Sequence, residues 1–213
     1  MKMDKLAKKI EAYYLYKGWY IDYTPDAANI AYIEGANEDG SSNADKPDEW
    51  NDRRIVFSYG ASGEPYIVLN TAATTEPGLL ATNTKAAQRL GGVARIQFGQ
   101  FKVWKMGYHK GNPLHPALVQ SGGLMVYADL NKDGKRTGDK LRTAIGINQH
   151  GTSKNAKPQK VGNWSAGCLV GMNWAMHLNF IKMCREDPAF IRDNNYLFHT
   201  SIINGDEFAK FNY

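Results

Sequence analysis

Gln149–Val170 reads QHGTSKNAKPQKVGNWSAGCLV. The run holds one of only two cysteines, Cys168, inside Ser165-Ala166-Gly167-Cys168, and His150-Gly151 stands eighteen positions upstream. The thiolate is the reactive form of cysteine, and a nearby imidazole can take the thiol proton. Gly167 lets the backbone pass close to a substrate carbonyl with no side chain between them. Backbone N–H groups of Gly167 and Cys168 can then face the oxyanion of an acyl transfer. The expected order is a strand ending at His150-Gly151, a polar loop, and Ser165–Cys168 opening a helix. The dipole of that helix would lower the thiol pKa.

Downstream, residues 172–186 carry a helical pattern that ends before Pro188, with Trp174, Leu178, Ile181 and Cys184 on one stripe and Met176, Phe180 and Met183 on a second. Cys184 lies on that apolar stripe and reads as a small buried hydrophobe. A last strand is expected over 196–203, with a short tail after it. Upstream, a helix is expected over 4–17, with Asp4 as its cap and Leu6, Ile10, Tyr13 and Tyr14 on one face. Short strands are expected over 19–23 and 30–33. The polar stretch 35–52 reads as a surface connector. Residues 54–59 and 66–71 read as a hairpin, and 74–78 as a turn. Residues 79–90 fit a loop or a short helix. Two strands meeting at a tight turn at Gly99 are expected over 92–108, then a strand ending at Gln120 and strands over 124–128 and 144–148. Many short strands with few helices give a β-rich α+β class, in a single domain spanning 1–213.

The run His150-Gly151-Thr152 … Ser165-Ala166-Gly167-Cys168-Leu169 resembles the active-site signature of the L,D-transpeptidase (YkuD-type) catalytic domain, in the branch with an NWSAGC motif found in phage and bacterial cell-wall proteins. The likeness reaches Ala73–Gly78, Gly107–Lys110, Ala117–Gln120 and Gly146–Asn148, and covers about residues 10–205. It implies a mixed β-sandwich with a helix packed beside it, an N-terminal elaboration over 1–72 and a catalytic core over 73–204. It implies that Cys168 attacks a peptidoglycan stem peptide, that His150 is its base, and that the Gly151 carbonyl accepts from the other ring nitrogen. His109 is placed near the cleft by the same likeness. Ser165, Gly167, Asn163 and Trp164 are the substrate-side candidates, Trp164 either walling the cleft or packing. No cofactor is implied. The chain departs from the family at Ala166, where many members carry His. It departs again at Leu169-Val170-Gly171, where many carry Arg or Asn, and this bears on substrate binding. The expected partners are peptidoglycan peptides and, for a virion component, other virion proteins.

The remaining histidines, His115, His177 and His199, read as a loop residue and two structural ones. Asp129-Leu130-Asn131-Lys132-Asp133-Gly134 copies the first half of a calcium loop, with oxygen side chains at alternate positions. Its second half fails, because Asp139 stands at loop position 11 and Lys140 replaces the bidentate Glu at position 12. A polar turn is the favoured reading over a metal site at Asp129, Asn131 and Asp133. Apolar residues make up 43% and charged residues 22%, ordinary for a globular chain. No apolar window reaches the roughly 18 residues of a membrane span. The net charge of +5 suits an anionic wall polymer and nucleic acid alike. The lysines are scattered apart from Lys154–Lys160, which disfavours nucleic acid. MKMDKLAKKIEAYY spreads charge where a secretory signal needs an apolar run. The expectation is synthesis in the cytoplasm and delivery to the wall by a phage, as lytic enzyme or virion part. Hydrolysis, cross-linking, and a non-catalytic virion role all remain open.

Overall fold

Consecutive residues of strand β1 (Asn29–Glu34) go to two different cores, so the strand is buried along its whole length. Ile30 and Tyr32 enter one apolar cluster, Ala31 and Ile33 the other. The period-2 alternation of a strand produces this split. β2 (Asp52–Tyr59) and β11 (Phe198–Asn204) divide the same way, Val56 and Ile202 against Ile55, Phe57 and Ile203. The second cluster is closed by helix α1 (Lys2–Lys17), which presents Leu6, Ile10, Tyr13 and Tyr14, and by Phe208 of α6 (Gly205–Lys210). Each such side chain contributes roughly 1.5–3 kcal/mol on burial.

The computed structural model describes residues 2–89 and 91–212. The remaining elements are β3 (Pro65–Thr74), α2 (Leu79–Thr82), α3 (Lys85–Arg89), β4 (Val93–Ile96), β5 (Gly99–Tyr108), β6 (Pro116–Gln120), β7 (Leu124–Asp129), β8 (Lys140–Ala144), β9 (Gln149–Gly151), β10 (Leu169–Gly171), α4 (Trp174–Glu186) and α5 (Pro188–Arg192). Eight strands close into a barrel in the order β1-β11-β5-β6-β9-β10-β3-β2, and β4-β7-β8 form a separate small sheet. Two neighbour pairs, β1–β11 and β9–β10, are parallel. The class is α+β. The strands close on themselves instead of stacking as two sheets, and the barrel takes β1, β2 and most of β3 from residues before 73.

Several local expectations change. Helix α1 begins at Lys2, so Asp4 lies in its first turn instead of capping it. Residues 19–23 form no strand, because a side chain takes the place of a neighbouring backbone. Gln100 Oε1 accepts from the Tyr20 N–H and Gln100 Nε2 donates to the Tyr20 carbonyl, both at 2.8 Å. β4 and β5 follow one another but belong to different sheets. Residues 145–148 are irregular, and the strand expected there is displaced to β8 before it and β9 after it. Span 79–89 holds two short helices, and Leu90 lies outside the described residues. On α4 the buried stripe is His177, Phe180, Ile181 and Cys184, while Leu178 is exposed.

The stretch after β1 is tied down rather than merely solvated. Asp48 accepts at Oδ1 from the N–H groups of Gly162 (2.6 Å) and Leu79 (3.0 Å), and its carbonyl accepts from Val161 N–H at 3.0 Å. It thereby clamps the segment that leads to Cys168. Nearby, Glu34 and Asp52 are buried beside Thr75, whose N–H and hydroxyl donate to Asp52 Oδ2 at 2.6 and 2.9 Å. Arg136, on the β7–β8 connection, pairs with Glu34 through both terminal nitrogens and donates to the Ile96 carbonyl. Burial and repulsion from Glu34 push Asp52 up to about 7. Burial would raise Glu34 too, but Arg136 holds it below the usual carboxylate range. This buried charge network docks the small sheet against the barrel.

Candidate active site

Cys168 precedes β10 directly and does not open a helix; α4 starts at Trp174 with Asn173 as its cap. The β10 segment pairs in parallel with β9, Leu169 opposite Gln149 and Val170 opposite His150. The ladder continues outward, since Leu169 N–H donates to the Asn148 carbonyl at 3.0 Å. Side chains alternate along a strand, so Cys168, Val170 and His150 share one face of the pair. Cys168 and His150 are therefore diagonal neighbours, joined by strand pairing across the long 152–167 connection.

The turn before Cys168 is held by Ser165. Its Oγ accepts from Gly167 N–H at 3.1 Å and donates to the Cys168 carbonyl at 2.8 Å. Gly167 has φ +132 and sits against β4, where any Cβ would lie 2.7 Å from the Ala94 carbonyl oxygen. Its N–H is engaged by Ser165, which leaves Cys168 N–H of the two donors expected from sequence. Asn163 is exposed and Trp164 half-buried, and among the described residues neither bonds to or stacks on the cysteine or the histidines.

Four of the five histidines come together around His150. His109 stacks on it with ring centroids 3.9 Å apart, and His115 meets it edge-on at 5.5 Å. His115 also packs on Trp174 at 5.1 Å, which in turn packs on His177. Partners fix the tautomers. The Gly151 carbonyl accepts from His150 Nδ1–H at 2.8 Å and from His115 Nε2–H at 3.0 Å. That leaves His150 Nε2 as the nitrogen able to take a proton. Asn148 donates to His109 Nδ1 at 3.2 Å, and its own N–H points at Cys168 Sγ at 3.4 Å. Gly151 must be glycine here, because a Cβ would lie 2.7 Å from the His177 ring.

Arg54 underlies the cluster, fully buried on β2. Nη2 donates to the His150 carbonyl at 3.0 Å and the Leu169 carbonyl at 3.4 Å; Nη1 donates to His177 Nδ1 at 3.1 Å; Nε donates to the Tyr32 hydroxyl at 2.5 Å. His177 Nε2–H then donates to the Pro116 carbonyl at 2.8 Å. Nothing in the sequence singled out Arg54, His115 or His177. Arg54 is the last of an Asp52-Arg53-Arg54 run, which reads as an ordinary polar strand end ahead of Ile55-Val56-Phe57.

Burial is the largest cause of every pKa shift at the site. It pushes His150 down to about 3, with His109 beside it adding to the effect, and His109 down to about 4. Burial also raises the Cys168 thiol, partly opposed by Asn148 N–H and Lys110. Both shifts disfavour charge on the two groups, the opposite of the lowered thiol expected from a helix terminus. Alkylation of Cys168 by iodoacetamide is expected to keep rising with pH to beyond the ordinary thiol range, with Cys184, fully buried, unreactive. A rate already level below about pH 8 would instead show a preformed thiolate–imidazolium pair.

A cavity of about 330 Å³ opens on Cys168, between α3 and the small sheet. Ala86, Ala87, Val93, Ala94, Ile145 and Ile147 are among its apolar lining, and Arg142 is its one charged lining residue among the described residues. This volume falls at the small end of ligand sites. No family model matches the chain, and no curated protein matches it.

Proposed function

We propose that the protein is a cysteine-nucleophile acyl-transfer enzyme of the L,D-transpeptidase type that acts on peptidoglycan stem peptides. One observation carries the reading: the β9–β10 register sets Val170 opposite His150, which by strand alternation puts Cys168, two residues before Val170, on the His150 side, with His150 Nδ1 anchored on the Gly151 carbonyl. In the proposed reaction His150 Nε2 takes the thiol proton as sulfur attacks a peptide carbonyl, because the surroundings disfavour charge on both groups beforehand. Cys168 N–H steadies the oxyanion. Collapse breaks the C–N bond, and the proton passes from His150 to the leaving amine. Water then resolves the thioester in a hydrolase, or a second amine resolves it in a cross-linking enzyme. Hydrolysis is the preferred outcome, because the residues after Cys168 lack the family's basic or amide side chain. Arg142 on the cavity wall supplies a cation for a stem-peptide carboxylate. The raised thiol favours a second reading, a virion structural protein that keeps the arrangement without turnover.

Purified muropeptides separate the two. The expected result is a shortened or cross-linked muropeptide together with an acid-stable acyl adduct on Cys168, seen by intact-mass analysis. Unchanged muropeptides and an unmodified Cys168 after prolonged incubation would leave the structural reading.

A further inference from the structure

The β7–β8 connection carries a second feature, independent of the thiol chemistry. Asp129, at the end of β7, is 98% buried, its residual exposure being 2%. Its Oδ2 accepts from Gly134 N–H at 3.1 Å, and its Oδ1 is buried with no hydrogen-bond partner among the described residues. An unpaired carboxylate oxygen away from water is costly. Asp139 Oδ2 is orphaned in the same way. One carboxylate oxygen from each of Asp129, Asp133 and Asp139 lies within 4.8 Å of the others. Three carboxylates this close repel one another unless a cation sits among them. Arg95 offsets this only in part: its charge acts on Asp129 and Asp139, but its terminal nitrogens bond to Glu76 and the Gly134 carbonyl and none bonds to the orphaned oxygens.

We infer that this loop is a calcium site, with Asp129, Asp133 and Asp139 as carboxylate ligands and Asn131 as a neutral oxygen donor. Spacing alone argued against it, since the acidic residue falls at loop position 11. The fold brings Asp139 into the cluster all the same. Asn131 donates from Nδ2 to Asp133 Oδ2 at 3.0 Å and accepts at Oδ1 from Asp133 N–H at 3.2 Å; a bound cation would displace the first contact and share the remaining lone pair of Oδ1. Oxygen-only donors of this number suit a hard ion that accepts irregular geometry, which favours Ca²⁺ over Mg²⁺. A cavity of about 640 Å³ lies beside the loop, with Asn131 and Asp139 in its lining together with Lys140 and Arg142. Arg136 and the Gly134 carbonyl tie this loop to the barrel and to Arg95, so the ion would brace the small sheet that walls the Cys168 cavity.

The test is calorimetric titration of CaCl₂ and MgCl₂ into the chelator-treated full chain, with thermal unfolding at each endpoint. One equivalent of Ca²⁺ is expected, with a Kd of roughly 10⁻⁵–10⁻³ M, binding at least ~10-fold tighter than Mg²⁺, and a rise in Tm. Asp133 is exposed and Asp139 half-buried, so Asp133→Asn and Asp139→Asn are expected to fold and to weaken Ca²⁺ binding by ~10-fold or more. Absence of saturable Ca²⁺ binding, equal or tighter Mg²⁺ binding, or Ca²⁺ binding unchanged in both variants would each overturn the site.

Discussion

Cys168→Ala is expected to reduce turnover of a muropeptide substrate by at least ~10³-fold, and His150→Gln by ~10²–10⁴-fold. The two losses should not add. A thiol whose pKa is held up contributes little without its base, and the base has nothing to activate without the thiol. The double variant is therefore expected to be no slower than the worse single one. Both changes should leave the fold in place, because neither residue belongs to the two apolar clusters. His109→Phe tests the same geometry from the side. It keeps a ring against His150 but loses the acceptor for Asn148, whose N–H faces the sulfur. A loss well below that of His150→Gln is expected. Cleavage by Cys168→Ala at the wild-type rate would remove the thiol mechanism altogether.

Legibility in the sequence followed the range of the interactions. Helix α1 and the β2–β3 hairpin rest on local periodicity, and both stand in the structure close to where the pattern put them. The Ser165–Cys168 segment was legible as a special turn but not as the lead into a strand. Three residues of β10 carry too little pattern to compete with the helix that begins five residues later. What places Cys168 beside His150 is a parallel pairing across a long connection, and no local signal encodes register. The closed barrel was illegible for the same reason: closure depends on β1 meeting both β2 and β11. His115 and His177 looked like isolated histidines because their meeting point is created by a tight turn and a helix packed on β9. The acidic loop shows the converse case. Its spacing was legible, but that the fold brings Asp139, at position 11, within 4.8 Å of Asp129 and Asp133 was not, because it depends on the path of the backbone rather than on the count along the loop.

Arg54→Met is expected to lower the free energy of unfolding by about 4 kcal/mol, read as a shift of the denaturant midpoint at constant slope. The guanidinium is fully buried, and among the described residues no carboxylate pairs with it. What compensates its desolvation is a set of acceptors, the His150 and Leu169 carbonyls, the Tyr32 hydroxyl and His177 Nδ1. The Phe180 ring beneath it, 4.4 Å from the guanidinium carbon, adds a cation–π contact. Methionine fills much of the volume and carries no charge to desolvate, which limits the loss, yet it leaves four buried acceptors without a donor. Arg54→Lys is expected to recover little, since a single ammonium cannot reach acceptors spread around a planar fork. The charge also acts on the site: Arg54 is among the causes that depress His150 and His177, after burial itself. For a folded-state pKa held below the unfolded value, stability is lost as pH falls below about 6.5 and through the folded pKa. Removing the cation should therefore move the His150 imidazole pKa upward from about 3, and the acid-side loss of stability should become shallower than in the wild type. A ring titration followed by NMR reads the first effect, and unfolding at pH 4 to 7 the second. A midpoint shifted by less than the equivalent of about 1 kcal/mol would mean that water or a relaxed backbone satisfies those acceptors, and that Arg54 does not hold His150 in place.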